Sequence, residues 1–382
     1  MKKRIYLDNN ATTFLDARIL EKMITILSQE IGNPSSIHSF GQEAKALLTK
    51  ARRNISSSLN IKAEEIVFTS GGTESLNMII QGLFNSHYCG HIITSDVEHD
   101  CVYQTIKLLE KKGCRVSYLP AGTYGAVSAD AVKQAIEKDT RLITLMAVNN
   151  VTGVKTNYED IASIAEEKQI PFVVDAVALM GKELFSIPKG VSAMCFSSHK
   201  FHGPQGTGMA FIRPSLKFDS LLKGGGQENQ KRAGTENLSG IVGMAEAIKL
   251  LSTELPEASK RMLHLRNLLE NLILQKLSNV SINGEGPRVV NTTNLCFEGI
   301  DAESLIMNLD LEGIAASHGS ACSSGGLKPS RILLNMGISN KKAKNSIRLS
   351  LSRFTTEQEI YDAAKIIIDL VSRLQKIGIK NP

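Results

Sequence analysis

From Ile66 the chain repeats one pattern through IVF (66–68), ESLNMIIQGLF (74–84), HIITS (91–95), YQTIKLLEKKG (103–113), RVSYL (115–119), DAVKQAIEK (130–138), LITLMAV (142–148), YEDIASIAEEKQ (158–169), PFVVD (171–175), AMCFS (193–197) and GMAFI (208–212). The short β-rich runs predict strands, and the apolar spacing of the longer runs predicts amphipathic helices. Strand, helix, strand repetition of this kind specifies an α/β fold, a mostly parallel central sheet with helices on both faces. In such sheets ligands bind beyond the carboxyl ends of the strands.

Past Arg213 the pattern changes. GGGQENQKRAGTEN (224–237) is rich in turn formers, and a helical pattern runs from about Ser239 to Glu254 and is expected to stop at Pro256. A second helix, ASKRMLHLRNLLENLILQKL (258–277), leads into a smaller α+β domain with strands around Val289–Phe297 and Ser346–Leu351. Its last helix starts at Thr356, which forms a capping box with Glu359. The expected division is an N-terminal segment, 1–15, packing on the domains, a large cofactor-binding domain, 16–255, and a small C-terminal domain, 256–382.

Composition narrows the function classes. With 44 Lys+Arg against 38 Asp+Glu the net charge is +6, and charged residues make up 21%, so no extended basic face is demanded and direct nucleic-acid binding is not expected. The opening MKKRIYLDNN lacks the apolar stretch of a signal peptide, and no apolar run reaches the roughly 18 residues of a membrane span, so the expected location is cytoplasmic. Six cysteines, at 89, 101, 114, 195, 296 and 322, are dispersed without CxxC or Cys/His metal spacing, which reads as free thiols and no metal site. Cys195 and Cys296 lie in apolar runs and read as small buried hydrophobes, whereas Cys322 lies in SHGSACSSGG, a small, polar, glycine-flanked run expected to be mobile and accessible.

The residues that follow each strand hold the chemistry. They are Thr69-Ser70-Gly71-Gly72-Thr73, Asp96-Val97-Glu98-His99, Asn149-Asn150, Asp175 and Ser197-Ser198-His199-Lys200. FTSGGTESLN places two glycines and a threonine at a helix start, an anion site suited to phosphate; it is neither GxGxxG nor a P-loop. Lys200 closes an apolar strand with a carbonyl-reactive amine, and Asp175 ends another with a partner for a protonated ring nitrogen. A phosphate cradle, a lysine and a carboxylate are the minimum set for pyridoxal phosphate. The amine must lose its proton to attack a carbonyl, so Lys200 should sit where its proton affinity is depressed. His199, one residue before it on the same strand, should face the opposite way, toward the phosphate.

The chain resembles the NifS/IscS-type cysteine desulfurases, within the class V aminotransferase group of fold-type I pyridoxal-phosphate enzymes. The resemblance runs almost end to end, through YLDNNATT (6–13), GNPSSIHSFGQEAK (32–45), FTSGGTESLN (68–77), VEHD (97–100), VNN (148–150), VDAV (174–177), SSHKFHGPQG (197–206), RAGTEN (232–237), SHGSACSSG (317–325) and IRLSLSRFTT (347–356). It implies that Lys200 binds the cofactor covalently, Asp175 pairs with the ring nitrogen and His99 stacks on the ring and moves protons. It further implies phosphate contacts from Gly72, Thr73, Ser197 and His199, and a contact from Asn150 to the ring hydroxyl or the substrate. Thr235 would complete the partner subunit's phosphate site in a homodimer, and Arg348 would bind the carboxylate of L-cysteine. Cys322 would take the substrate sulfur as a persulfide and pass it to a protein acceptor such as an iron–sulfur scaffold.

Two positions depart from the family's pattern. Ala178 stands where a glutamine usually donates to the cofactor's ring oxygen, and Val151 stands where an acidic residue usually follows the paired asparagines. These departures keep open a weakly active sulfur-relay subunit that needs a partner, and a second alternative is a lyase or aminotransferase of the same fold for which Cys322 is incidental. His38 reads as a loop-structuring residue and Arg353 as structural, and His202, His264 and His318 receive no role.

Overall fold

The computed structural model describes residues 4–29, 32–84, 89–319 and 329–378. The chain enters on a short strand, β1 (Ile5–Tyr6), and two helices, α1 (Ala17–Gln29) and α2 (Ser39–Leu59). It then alternates β2 (Ile66–Thr69), α3 (Gly72–Gly82), β3 (His91–Ser95), α4 (Asp100–Lys111), β4 (Arg115–Leu119), α5 (Ala129–Ala135), β5 (Thr140–Met146), α6 (Tyr158–Lys168) and β6 (Phe172–Asp175). Two more strands, β7 (Ala193–Ser197) and β8 (Gly208–Ile212), complete a seven-stranded sheet in the order β2-β8-β7-β6-β5-β3-β4. Every pairing is parallel except the two made by β8. The strands predicted at 91–95, 115–119, 193–197 and 208–212 form with those bounds. The inner strands are buried, apart from the first two residues of β5, as a sheet covered on both faces requires, and the edge strand β4 is partly exposed.

The expected helix break at Pro256 does not occur. One helix, α7, runs from Leu238 to Lys276 with Pro256 inside it. Pro256 and Ser252, whose carbonyl loses its helical donor, both lie on the solvent face, so water satisfies the orphan. Leu251, Leu255, Ala258 and Met262 on the opposite face are buried and hold the two halves in line. The proposed division at 255/256 therefore falls inside α7. Its first half packs Ile241, Met244 and Leu251 into the core of the large sheet, and its second half packs Leu265, Leu269 and Ile273 into a separate core.

That second core is built by β9 (Val280–Ile282), β10 (Thr292–Phe297), α8 (Ala302–Leu311), β11 (Ile314–Ala315), β12 (Ser346–Ser350) and α11 (Glu357–Gly378), while α9 (Arg331–Asn335) and α10 (Asn340–Lys344) pack Ile332, Leu333 and Ala343 into a smaller cluster with Val97 and Val151. Strands β12, β10 and β9 form an antiparallel sheet, and α11 opens with the reciprocal Thr356–Glu359 hydrogen bonds of the capping box. Strand β1 pairs with β11, so Ile5 and Leu7 join this core while the next residues, Asn9 to Ala11, reach the carboxyl edge of the large sheet.

Candidate active site

The carboxyl ends of β2, β3, β5, β6 and β7 surround a cavity of about 210 Å³. Gly72, Thr73, His99, Asn150, Asp175, Ser197, His199, Lys200 and Arg348 all line it. Nine residues nominated from sequence thus meet in one place. Thr235 does not line this cavity and is exposed. Cys322 lies outside the described residues; the chain approaches it from Ser317, whose backbone exchanges both hydrogen bonds with Arg348 (2.7 and 3.2 Å).

At one wall the N-terminus of α3 is bare. Gly71 offers no side-chain cap, so among the described residues the first-turn N–H groups are left for an anion. Gly72 has to be glycine, because a Cβ there would stand 2.5 Å from Val177 Cγ2. Thr73 and Ser197 add hydroxyls beside it. His199 contacts Thr12 Oγ1 through Nδ1 (3.0 Å), and burial, followed by the charges of Lys200 and Lys182, pulls its pKa down to about 4. It therefore meets the cavity as a neutral ring. The expectation that His199 alternates with Lys200 along a strand needs correction: β7 ends at Ser197, and Ser198–Lys200 is a single 3-10 turn that turns both side chains to the cavity.

Lys200 Nζ donates to the carbonyls of Asn10 (2.6 Å) and Ala11 (2.8 Å), so the N-terminal segment holds the amine in place. Asp175 closes the far wall. Its Oδ1 accepts from the Val177 N–H (3.0 Å); burial raises its carboxyl, and the charges of His99 and Lys200 oppose that rise. A positive ring nitrogen beside it would complete the balance.

His99 is the N-cap of α4, and its Nδ1 accepts from the Cys101 N–H (3.2 Å) and lies 3.0 Å from Cys101 Sγ. Burial, then the charge of Asp175, pushes the Cys101 thiol well up, so Cys101 stays an S–H donor. With Nδ1 accepting, the His99 ring proton lies on Nε2. Glu98, beside it, is fully buried, accepts from Ser95 Oγ (2.6 Å) and is pushed up to about 8 chiefly by burial.

The paired asparagines divide their work. Asn149 Oδ1 accepts from the N–H groups of Val151 (2.9 Å) and Thr152 (3.1 Å) and shapes the turn. Asn150 lines the cavity with a buried Oδ1 that has no partner among the described residues. Val151 is fully buried in an apolar cluster with Val97, Ile332, Leu333 and Met336, so a carboxylate there would be buried without a partner, which accounts for the departure. Ala178 lines the cavity with only a methyl group.

Sequence reasoning missed Asp8, Asn10, Cys101 and Lys182, and named Glu98 only as one of the residues that follow a strand. Asp8 and Asn10 come from a segment whose placement depends on strands too short to carry a periodic pattern. Lys182 reads in sequence as a surface lysine, yet it is 2% exposed and lines the cavity. His38, by contrast, is the N-cap of α2 and accepts from the Gly41 N–H (3.3 Å), the loop-structuring place expected of it.

An anion cradle at a helix N-terminus, a lysine amine, a buried carboxylate opposite and an orphaned asparagine oxygen fit pyridoxal phosphate in donor, acceptor and charge. The chain belongs to the aminotransferase class-V family, whose pattern matches residues 5–362. Within it, the chain is 40% identical over 382 residues to the cysteine desulfurase IscS of Dictyoglomus turgidum, covering 99% of this chain and 97% of that one. It is 39% identical to the cysteine desulfurase IscS of Methanosarcina thermophila, covering 100% of this chain and 95% of the relative. A solved structure of a NifS-like protein superposes with a TM-score of 0.90 at 36% identity, covering 97% of this chain and all of the other.

Proposed function

We propose that this chain is a pyridoxal-phosphate-dependent cysteine desulfurase that converts L-cysteine to L-alanine and leaves the sulfur as a persulfide on Cys322. The observation that carries the reading is the meeting of Lys200, Asp175, His99, Arg348 and the bare α3 N-terminus in one cavity. Gly72, Thr73, Ser197 and His199 would hold the phosphate, Lys200 the aldehyde carbon and Asp175 the ring nitrogen. Bound there, pyridoxal phosphate supplies an electron sink for charge developing at the substrate Cα.

This chain's own residues do the rest. Arg348 takes the substrate carboxylate, and Asn150 orients the substrate or the ring hydroxyl. Lys200 Nζ would accept the Cα proton, and His99 would offer its Nε2 proton in the same cavity. The Cys322 thiolate bonds to the substrate sulfur as the carbon–sulfur bond breaks, and the three-carbon remainder takes up protons to become alanine. A homodimer in which Thr235 serves the partner's phosphate site, a protein sulfur acceptor and a cytoplasmic location belong to the same reading. No helix among the described residues is long and apolar enough to cross a membrane.

Persulfide labelling tests the assignment of Cys322. Cys322→Ala should bind pyridoxal phosphate as the parent does and accumulate no protein-bound persulfide from L-cysteine. Persulfide at the parent's level in that variant would remove Cys322 from the mechanism.

A further inference from the structure

Lys182 lies in the turn after β6, 2% exposed. Its Nζ donates to the main-chain carbonyl of Lys200 at 2.8 Å. Its own carbonyl accepts from Ser259 Oγ of α7 at 2.5 Å and its N–H donates to the Leu179 carbonyl at 3.1 Å, so the residue is fixed at both ends. The charged groups that face it are cations, Lys200 from the 3-10 turn and Arg353 from the segment after β12. No carboxylate pairs with it among the described residues. A buried ammonium with one acceptor and no counter-charge is costly, and burial, then Lys200, lowers Lys182 to about 7. In either protonation state the amine is a hydrogen-bond donor aimed at the backbone of the reactive lysine.

Ser198–Lys200 is one short turn, and a 3-10 turn alone holds its backbone weakly. We propose that Lys182 is the positioning residue for Lys200: its buried amine pins the Lys200 carbonyl and so fixes where the reactive Nζ emerges in the cavity. The proposal rests on the cofactor reading above and extends it to a residue that touches the reactive lysine's backbone. It separates two functions that one cavity combines. The α3 cradle and Asp175 set how tightly the cofactor is held, and Lys182 sets how readily Lys200 bonds to it.

The test uses the full-length chain with Lys182→Met, of similar length but without N–H, and Lys182→Gln, which keeps an N–H one atom shorter. Pyridoxamine phosphate, which cannot bond covalently to lysine, reports the cradle. Borohydride trapping of pyridoxal phosphate on the Lys200 peptide, read by mass, reports attachment. Loss of one buried hydrogen bond should slow attachment about tenfold in Lys182→Met. Pyridoxamine phosphate affinity should stay within about twofold, since the cradle residues are untouched, and Lys182→Gln should regain part of the rate. With cysteine as substrate, kcat should fall and KM change little. Attachment at the parent's rate in Lys182→Met overturns the proposal, as does an equal loss of attachment and pyridoxamine phosphate binding in both variants. A parent protein that attaches nothing at Lys200 overturns the cofactor reading itself, a result distinct from either.

Discussion

Arg348 Nη2 lies 2.8 Å from Asp8 Oδ1, and the arginine is only 1% exposed. Its Nη1 donates to the Asn150 carbonyl at 2.8 Å, and its buried Nε has no partner among the described residues. The guanidinium is therefore held rigidly at the cavity by a carboxylate that an incoming substrate carboxylate must share or displace. A planar fork can serve both at once, whereas an ammonium cannot. Arg348→Lys should raise KM for L-cysteine about tenfold with a smaller effect on kcat, as steady-state kinetics will show. Asp8→Asn leaves a buried cation short of its counter-charge and should cost roughly 3 kcal/mol in denaturant unfolding.

Gly72→Ala tests the anion cradle. The added Cβ meets Val177 Cγ2 at 2.5 Å, and a β-branched side chain yields little, so the α3 N-terminus must shift. Pyridoxal phosphate affinity should fall about tenfold in a fluorescence titration. Gly72→Ala combined with Val177→Ala removes the clash and should recover most of it.

Buried neutral histidines should make the fold acid-sensitive. Burial lowers His202 to about 3 and His199 to about 4, while an unfolded chain protonates both near pH 6.5. The unfolded state then binds more protons, so their stabilising effect is complete above pH 6.5 and is lost as pH falls toward 4 and 3. His202, whose Nδ1–H donates to the Phe14 carbonyl at 2.8 Å, joins the N-terminal segment to the lysine turn. Urea unfolding at pH 7 and pH 5 should show the loss, and His202→Gln, which has no proton to gain, should show a smaller one.

Where strands alternate with helices, the sequence is easily read. Strands β3, β4, β7 and β8 take their predicted bounds because each is an apolar run bracketed by turn residues. Helices α1 and α2 escape that reading, although Ile19 and Ile26 sit at helical spacing on one buried face, because no strand separates them. Pro256 misleads because its solvent-facing position, which makes it harmless, is a tertiary fact. The same holds for the site. Lys200, Asp175 and His99 follow strand ends and could be named from the pattern. Asp8, 340 residues from Arg348 along the chain, and Lys182, defined by burial, become visible only once the chain is folded.

The most direct measurement is product analysis: purified protein with pyridoxal phosphate, L-cysteine and a reductant, with alanine, pyruvate and sulfide quantified together. The account predicts alanine and sulfide in equal amounts, without pyruvate. Pyruvate in place of alanine would contradict it and assign the cavity to lyase chemistry.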